Sequence, residues 1–390
     1  MQWTRATGAG LDPHEYRRVT DGLASVADWG PAFLRTGQEH LRRAEDAGSS
    51  ASAGTHLLAA ARWFHAATLA PYAEAARAAA AADDALGRAL ALLEPGARRL
   101  SGEGFTGLLR LPRSPAPADG TPDVDAPDAD ASGTGANDAG ATDADTSDAG
   151  ANDAGASGTD TSDADAVGTD VAGTVIVVPG LDSAKEEFLD LVSALLARGL
   201  AVFAMDGPGQ GALAATSTLV PEYEEVVARV VDALGVPRVG LVGLSLGGYF
   251  AARAAALEPR VAAVATVSGP FRLDWEELPR PVRDMVARRT GGADAAREFT
   301  RHVDLTDLAP RVTAPLLVVD GGRDVIPGVT NGEPLARLAP RGTHLSVPHG
   351  DHLLGNARPD WLPRLADHLA HALRGTGGGR TRTAPAAPRE

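Results

Sequence analysis

The chain has 390 residues and is 44% hydrophobic, enough for a large core and two folded units. It has no cysteine, which excludes disulfides, thiolate chemistry and cysteine metal sites. The net charge is −15, but 14 of the aspartates fall between Ser114 and Asp170, so the rest of the chain carries only about −1 and offers no basic stripe for nucleic acid.

Residues 14–94 are dominated by helix formers. Leu57, Leu58, Ala61, Phe64, His65, Thr68 and Leu69 recur at helical spacing, and long alanine runs follow up to Pro95-Gly96. Trp29, Trp63 and Phe64 read as packing residues. A helical region is therefore expected over 1–97. Phe105 to Pro112 reads as an edge strand. The Asp/Ala-rich stretch 114–170 has almost no large apolar side chains to offset its ordering entropy, so it is expected to be a disordered loop expansion.

From residue 174 strands alternate with helices, at 174–178, 200–205, 238–243, 261–267, 315–320 and 343–347. Helices are expected at Lys185–Arg198 and Tyr223–Leu234, among others. Several of the strands are continuous Val/Ala/Leu runs, as in a parallel sheet covered on both faces. The expected fold is thus α/β, with a mostly parallel doubly wound sheet over 98–373 and a disordered tail over 374–390. No run of 18 apolar residues and no signal-like leader are seen, so a soluble cytoplasmic protein is expected.

Gly243-Leu244-Ser245-Leu246-Gly247 joins a strand to a helix with serine at the apex. The small residues let the strand and helix approach, and the turn lifts the hydroxyl off the sheet. A serine nucleophile needs a base and an orienting acid. His352 is the expected base, because Gly350-Asp351-His352 follows the last strand; His349 is its rival. Asp324, on the loop after the strand ending at Asp320, is the expected acid, and Asp320 is its rival. The order Ser, Asp, His is that of the α/β-hydrolase layout. The oxyanion donors are expected to be the N–H groups of Leu246 and of Leu181, the latter in the loop after strand 174–178. Asp206-Gly207-Pro208-Gly209-Gln210-Gly211 is not a dinucleotide loop, because its glycine spacing is wrong and proline interrupts it. It reads as a structural turn that shapes the pocket wall.

Taken together, residues 179–187 (Pro-Gly-Leu-Asp-Ser-Ala-Lys-Glu-Glu), 206–211, 243–248 and 350–352 resemble the FrsA-like α/β-hydrolases over roughly residues 10–373. That family includes C–C bond hydrolases and fungal polyketide-shortening hydrolases. The resemblance implies an α/β-hydrolase fold with an N-terminal helical cap. It implies hydrolysis of a C–C bond beside a carbonyl, or of an ester, in a small molecule. It also implies an auxiliary acid after the strand that follows the nucleophile, assigned to Glu276 with Asp274 as rival. Lys185 is either a brace for the oxyanion loop or a surface helix residue. Relatives are often dimers, so a homodimer is among the states expected. The expected partner is a small-molecule substrate, with no membrane, no nucleic acid, no cofactor and no metal. The same triad would also serve an acyltransferase or lyase, and a capped pocket without turnover would serve a receptor.

Overall fold

In the computed structural model, residues 3–69, 73–113 and 171–375 are described. The sequence expectations for the insert at 114–170 and for the tail beyond 375 lie outside these residues. Helix 358–375 runs two residues past the expected end of the folded part.

Five helices come first, α1 (Trp3–Gly8), α2 (Pro13–Thr20), α3 (Trp29–Glu45), α4 (Ser50–Thr68) and α5 (Ala75–Leu93). Their shared core holds Tyr16, Phe33, Trp63 and Phe64. Trp63 and Phe64 are fully buried there and Trp29 packs at its margin, as expected for packing residues. The indole N–H of Trp63 donates to Glu15 Oε2 at 2.9 Å, which satisfies its one polar atom.

The strands are β1 (Arg98–Gly102), β2 (Phe105–Arg110), β3 (Thr174–Val178), β4 (Ala201–Asp206), β5 (Val239–Leu244), β6 (Val261–Val267), β7 (Arg272–Leu273), β8 (Leu316–Gly321), β9 (Val329–Thr330) and β10 (Gly342–Val347). Eight of them form one sheet in the order β1-β2-β4-β3-β5-β6-β8-β10. Only β2 runs against its neighbours. The other two, β7 and β9, pair as a short antiparallel ladder. One expectation is corrected here: β2 is not the edge strand. The hairpin strand β1 pairs outside it, and β1 is too polar and too exposed to show an apolar alternation in sequence.

Both faces of the sheet are covered. Ile176, Val178, Phe203 and Met205 face one apolar layer, and their chain neighbours Val175, Val177, Val202 and Ala204 face the other. This is the period of two that a strand imposes, with both phases buried as in a parallel sheet. The first layer is closed by α7 (Tyr223–Leu234) and α8 (Leu246–Leu257), the second by α6 (Leu189–Leu196) and α12 (Arg358–Gly375). Because β3, β5, β8 and β10 are parallel, the loops that follow them gather at one end of the sheet, where α/β folds carry their sites. Among the described residues, no helix is long and apolar enough to cross a membrane.

Candidate active site

Ser245 follows β5 and stands before the first residue of α8, with φ 53° and ψ −129°. That backbone conformation is costly for a residue with a Cβ and persists only where the surroundings enforce it. The enforcement is visible at Gly243: a Cβ there would lie 2.0 Å from the Gly247 carbonyl oxygen, so only glycine lets strand and helix come so close.

Ser245 Oγ is 3.0 Å from His352 Nε2, and His352 Nδ1 is 3.0 and 2.9 Å from the two oxygens of Asp324. Asp324 is 4% exposed. Its carboxylate accepts the Nδ1–H, which leaves Nε2 as the acceptor for the serine hydroxyl. The two rivals are engaged elsewhere. Asp320 Oδ2 pairs with His344 Nε2 at 3.0 Å, and burial pushes its carboxyl up. His349 is half-exposed and faces Asp360 at 3.3 Å. Ser268, which the sequence reading passed over, steadies the histidine: its Oγ accepts the Leu353 N–H at 3.0 Å, directly after His352. Ser268 and Leu353 both have positive φ, and no motif in the sequence marks either.

The loop after β3 lies against the nucleophile. A Cβ on Gly180 would sit 2.9 Å from the Ser245 Cβ and 3.4 Å from its Oγ. Gln210, fully buried, holds this loop. Its Nε2 donates to the carbonyl oxygens of Pro179 at 2.6 Å and of Gly180 at 3.0 Å. Its Oε1 accepts from the Gly207 N–H at 3.1 Å and the Tyr223 hydroxyl at 2.8 Å. A trans peptide points its C=O and N–H in opposite directions. With the Gly180 carbonyl turned to Gln210, the Leu181 N–H points away from Gln210. No acceptor among the described residues takes the N–H of Leu181 or of Leu246, the latter at the open N-terminal end of α8.

Next along the chain, Lys185 is buried rather than a surface residue. Its Nζ lies 2.7 Å from each of Asp83 Oδ1, Glu186 Oε1 and Asp206 Oδ2. Burial opposes its charge, but the three carboxylates prevail and raise its pKa. Arg5, from α1, donates to Glu187 at 2.7 and 2.9 Å, to Asp182 at 2.8 Å and to Ser183 Oγ at 3.2 Å. Burial alone would raise the carboxyls of Glu187 and Asp182, but Arg5 overcomes it and holds both below the usual carboxylate range. His65 adds a contact to Glu187 at 3.1 Å. Residues 182–187 are thereby tied to three N-terminal helices, α1, α4 and α5.

Beside this loop is a cavity of about 350 Å³. It is lined by residues at the C-terminal end of α4, among them His65 and Thr68, by alanines of α5, by residues of the 182–186 and 211–215 segments, and by Met285, Arg288 and Arg289 of α9 (Arg280–Thr290).

Glu276 is not brought to the triad. Its carboxylate is 71% exposed and faces Arg297 at 3.4 Å, while Asp274 Oδ1 accepts the Glu276 N–H at 3.0 Å. No hydrogen bond joins either acid to Ser245, Asp324 or His352. The acids that crowd the loop after β3 are those around Lys185 and Arg5, and the signal in the sequence was Lys185, the one lysine of the chain, followed by two glutamates.

Comparison with known proteins bears on the fold. The model of the alpha/beta hydrolase fold family matches residues 173–309. The 2,6-dihydropseudooxynicotine hydrolase of Paenarthrobacter nicotinovorans is 31% identical over 208 residues, which are 48% of this chain and 56% of that protein. The 20-hydroxy-prefusarin hydrolase FUS2 of Gibberella moniliformis is 38% identical over 119 residues, 27% of this chain and 28% of that protein. The matched segments thus span about half of the first relative and about a quarter of the second. The crystal structure of the 2,6-dihydroxy-pseudo-oxynicotine hydrolase superposes with a TM-score of 0.73 over 96% of this chain and 97% of that one; at 23% identity this likeness speaks for the fold. Its sheet order, the match over residues 173–309 and the likeness to this crystal structure show that the chain has the α/β-hydrolase fold.

Proposed function

We propose that the protein is a serine hydrolase acting on a small molecule, at a C–C bond beside a carbonyl or at an ester. The observation that carries this reading is the relay from Ser245 Oγ through His352 to Asp324, at 3.0 and 2.9 Å, on a backbone strained at the serine. His352 Nε2 takes the hydroxyl proton as Oγ attacks the carbonyl carbon, and Asp324 stabilises the imidazolium that forms. The oxyanion rests on the N–H groups of Leu181 and Leu246. Collapse of the tetrahedral adduct expels the leaving group, an alkoxide or an enolate-type carbanion, which takes the proton from His352. Water, deprotonated by His352, then hydrolyses the acyl-enzyme. The N-terminal helices act as a cap, which the cavity beside α5 supports. The C–C alternative draws on the similarity to the pseudooxynicotine hydrolase.

The test offers a 4-nitrophenyl ester and a 1-aryl-1,3-diketone to wild-type protein, Ser245→Ala and His352→Ala. The proposal predicts turnover of at least one substrate and losses of about 10³-fold or more in both variants. Variants within tenfold of wild type would overturn it.

A further inference from the structure

The polar wall of the cavity carries a charge that the protein leaves largely unanswered. Arg289 sits in the last turn of α9 and lines the cavity. Among the described residues its guanidinium makes one hydrogen bond, from Nη1 to the Gly209 carbonyl oxygen at 3.2 Å, and no carboxylate comes within ion-pair distance of it. Guanidinium has five N–H donors and does not shed its proton in proteins. Burial works against the charge of Arg289, with only a partial offset from Asp182. The side chain is only partly buried, and an anion placed against it gains charge-assisted hydrogen bonds.

The acids nearby are otherwise engaged. Asp182 accepts from Arg5. Glu186 shares the Lys185 ammonium, and burial pushes its carboxyl up. Arg288, in the same turn, adds a second positive charge to the cavity wall. Ala75, Ala76 and Ala79 of α5 and Met285 of α9 supply apolar lining, and His65 and Thr68 of α4 supply polar lining. The volume of about 350 Å³ suits a small organic ligand. None of Ser245, Asp324 and His352 lines the cavity, but its wall is joined to the nucleophile by a short stretch of chain. Asp182 follows Gly180 by two residues, so its Cα lies within roughly 13 Å of the Ser245 hydroxyl.

We propose that this cavity takes an organic anion, an apolar body ending in a carboxylate or phenolate, with the anionic oxygen on Arg289 and the body along the alanine face of α5. The proposal rests on the reading of Ser245 as nucleophile only in making that anion part of the substrate. Arg289 is then a specificity residue.

The experiment is calorimetric titration of 4-phenylbutyrate and of its neutral amide, 4-phenylbutyramide, into the full chain, into Arg289→Met and into Arg289→Lys. The acid is expected to bind at least tenfold more tightly than the amide. Arg289→Met is expected to abolish that preference, and Arg289→Lys to keep most of it. Equal binding of acid and amide, absence of binding by either, or an acid preference that survives in Arg289→Met would overturn the proposal. The readout does not depend on turnover. Failure here with Ser245 still reactive would refute the ligand class alone, whereas an unreactive Ser245 would refute the hydrolase reading instead.

Discussion

Replacing Gln210 by glutamate changes one buried atom from a hydrogen-bond donor to an acceptor. In the wild type that atom, Nε2, donates to the carbonyl oxygens of Pro179 and Gly180. In Gln210→Glu both carbonyls would lose their partner and face a carboxylate oxygen at about the same distance. A buried polar group left unpaired costs about 1–3 kcal/mol, so the variant should lose about 2–6 kcal/mol of stability. The loss should shrink between pH 8 and pH 6, because burial favours the protonated carboxyl, which can donate one bond back. The catalytic cost is separate. With nothing to hold the Gly180 carbonyl, its peptide can turn and carry the Leu181 N–H off the oxyanion position. Loss of one such donor costs roughly 10²–10³ in kcat. The assay pairs urea unfolding with steady-state ester hydrolysis. Tyr223→Phe serves as the control: it removes only the 2.8 Å bond to Gln210 Oε1 and should change kcat by less than about threefold. A folded Gln210→Glu protein with kcat within about threefold of wild type would refute the reasoning that this side chain orients the loop.

Lys185→Met leaves Glu186 and Asp206 buried without their cation, and Asp83 with Arg99 alone. Removing one partner of a buried ion pair costs about 3–5 kcal/mol, and urea titrations should show that loss at pH 7–8 and a smaller one near pH 5, as the carboxyls take up protons. Arg5→Gln should cost about 3–5 kcal/mol, since the buried Glu187 carboxylate loses its arginine partner and a third bond, to Asp182, goes with it. Its pH dependence follows from Asp182 and Glu187, whose carboxyls are depressed in the folded state. Such groups stabilise above their unfolded values of about 4, and that stability is lost as the pH falls through the folded values. The deficit of Arg5→Gln should therefore be greatest above pH 5 and diminish towards pH 3 in acid-unfolding curves; a deficit that is flat or grows with acid would contradict the pairing.

β3, β4, β5, β6 and β8 could be read from the sequence because each is a buried apolar run, and burial on both faces leaves little freedom in such a run, whereas the two-residue strands β7 and β9 are half-exposed and carry no such signal. Ser245, Asp324 and His352 could be placed because each follows a strand at the same end of a parallel sheet, so position along the chain translates directly into position in space. The edge strand β1 could not, because its residues face solvent and show no period. Arg5 and its partners were beyond reach for another reason: its bonds cross more than 170 residues of sequence, and a lone arginine in a polar N-terminal stretch carries no sign of them. Gln210 lay inside a segment read as a structural turn. The segment does shape the cavity wall, but its glutamine also holds the loop beside the nucleophile. Glu276 illustrates the opposite case, a residue chosen from a resemblance whose side chain faces solvent and Arg297.

The central claim is that Ser245 is an activated nucleophile. The most direct measurement is the intact mass of the protein after treatment with a fluorophosphonate, with Ser245→Ala alongside. A single adduct on the wild type and none on the variant is the predicted result. An unmodified wild type, or an equal adduct on both proteins, would contradict the claim.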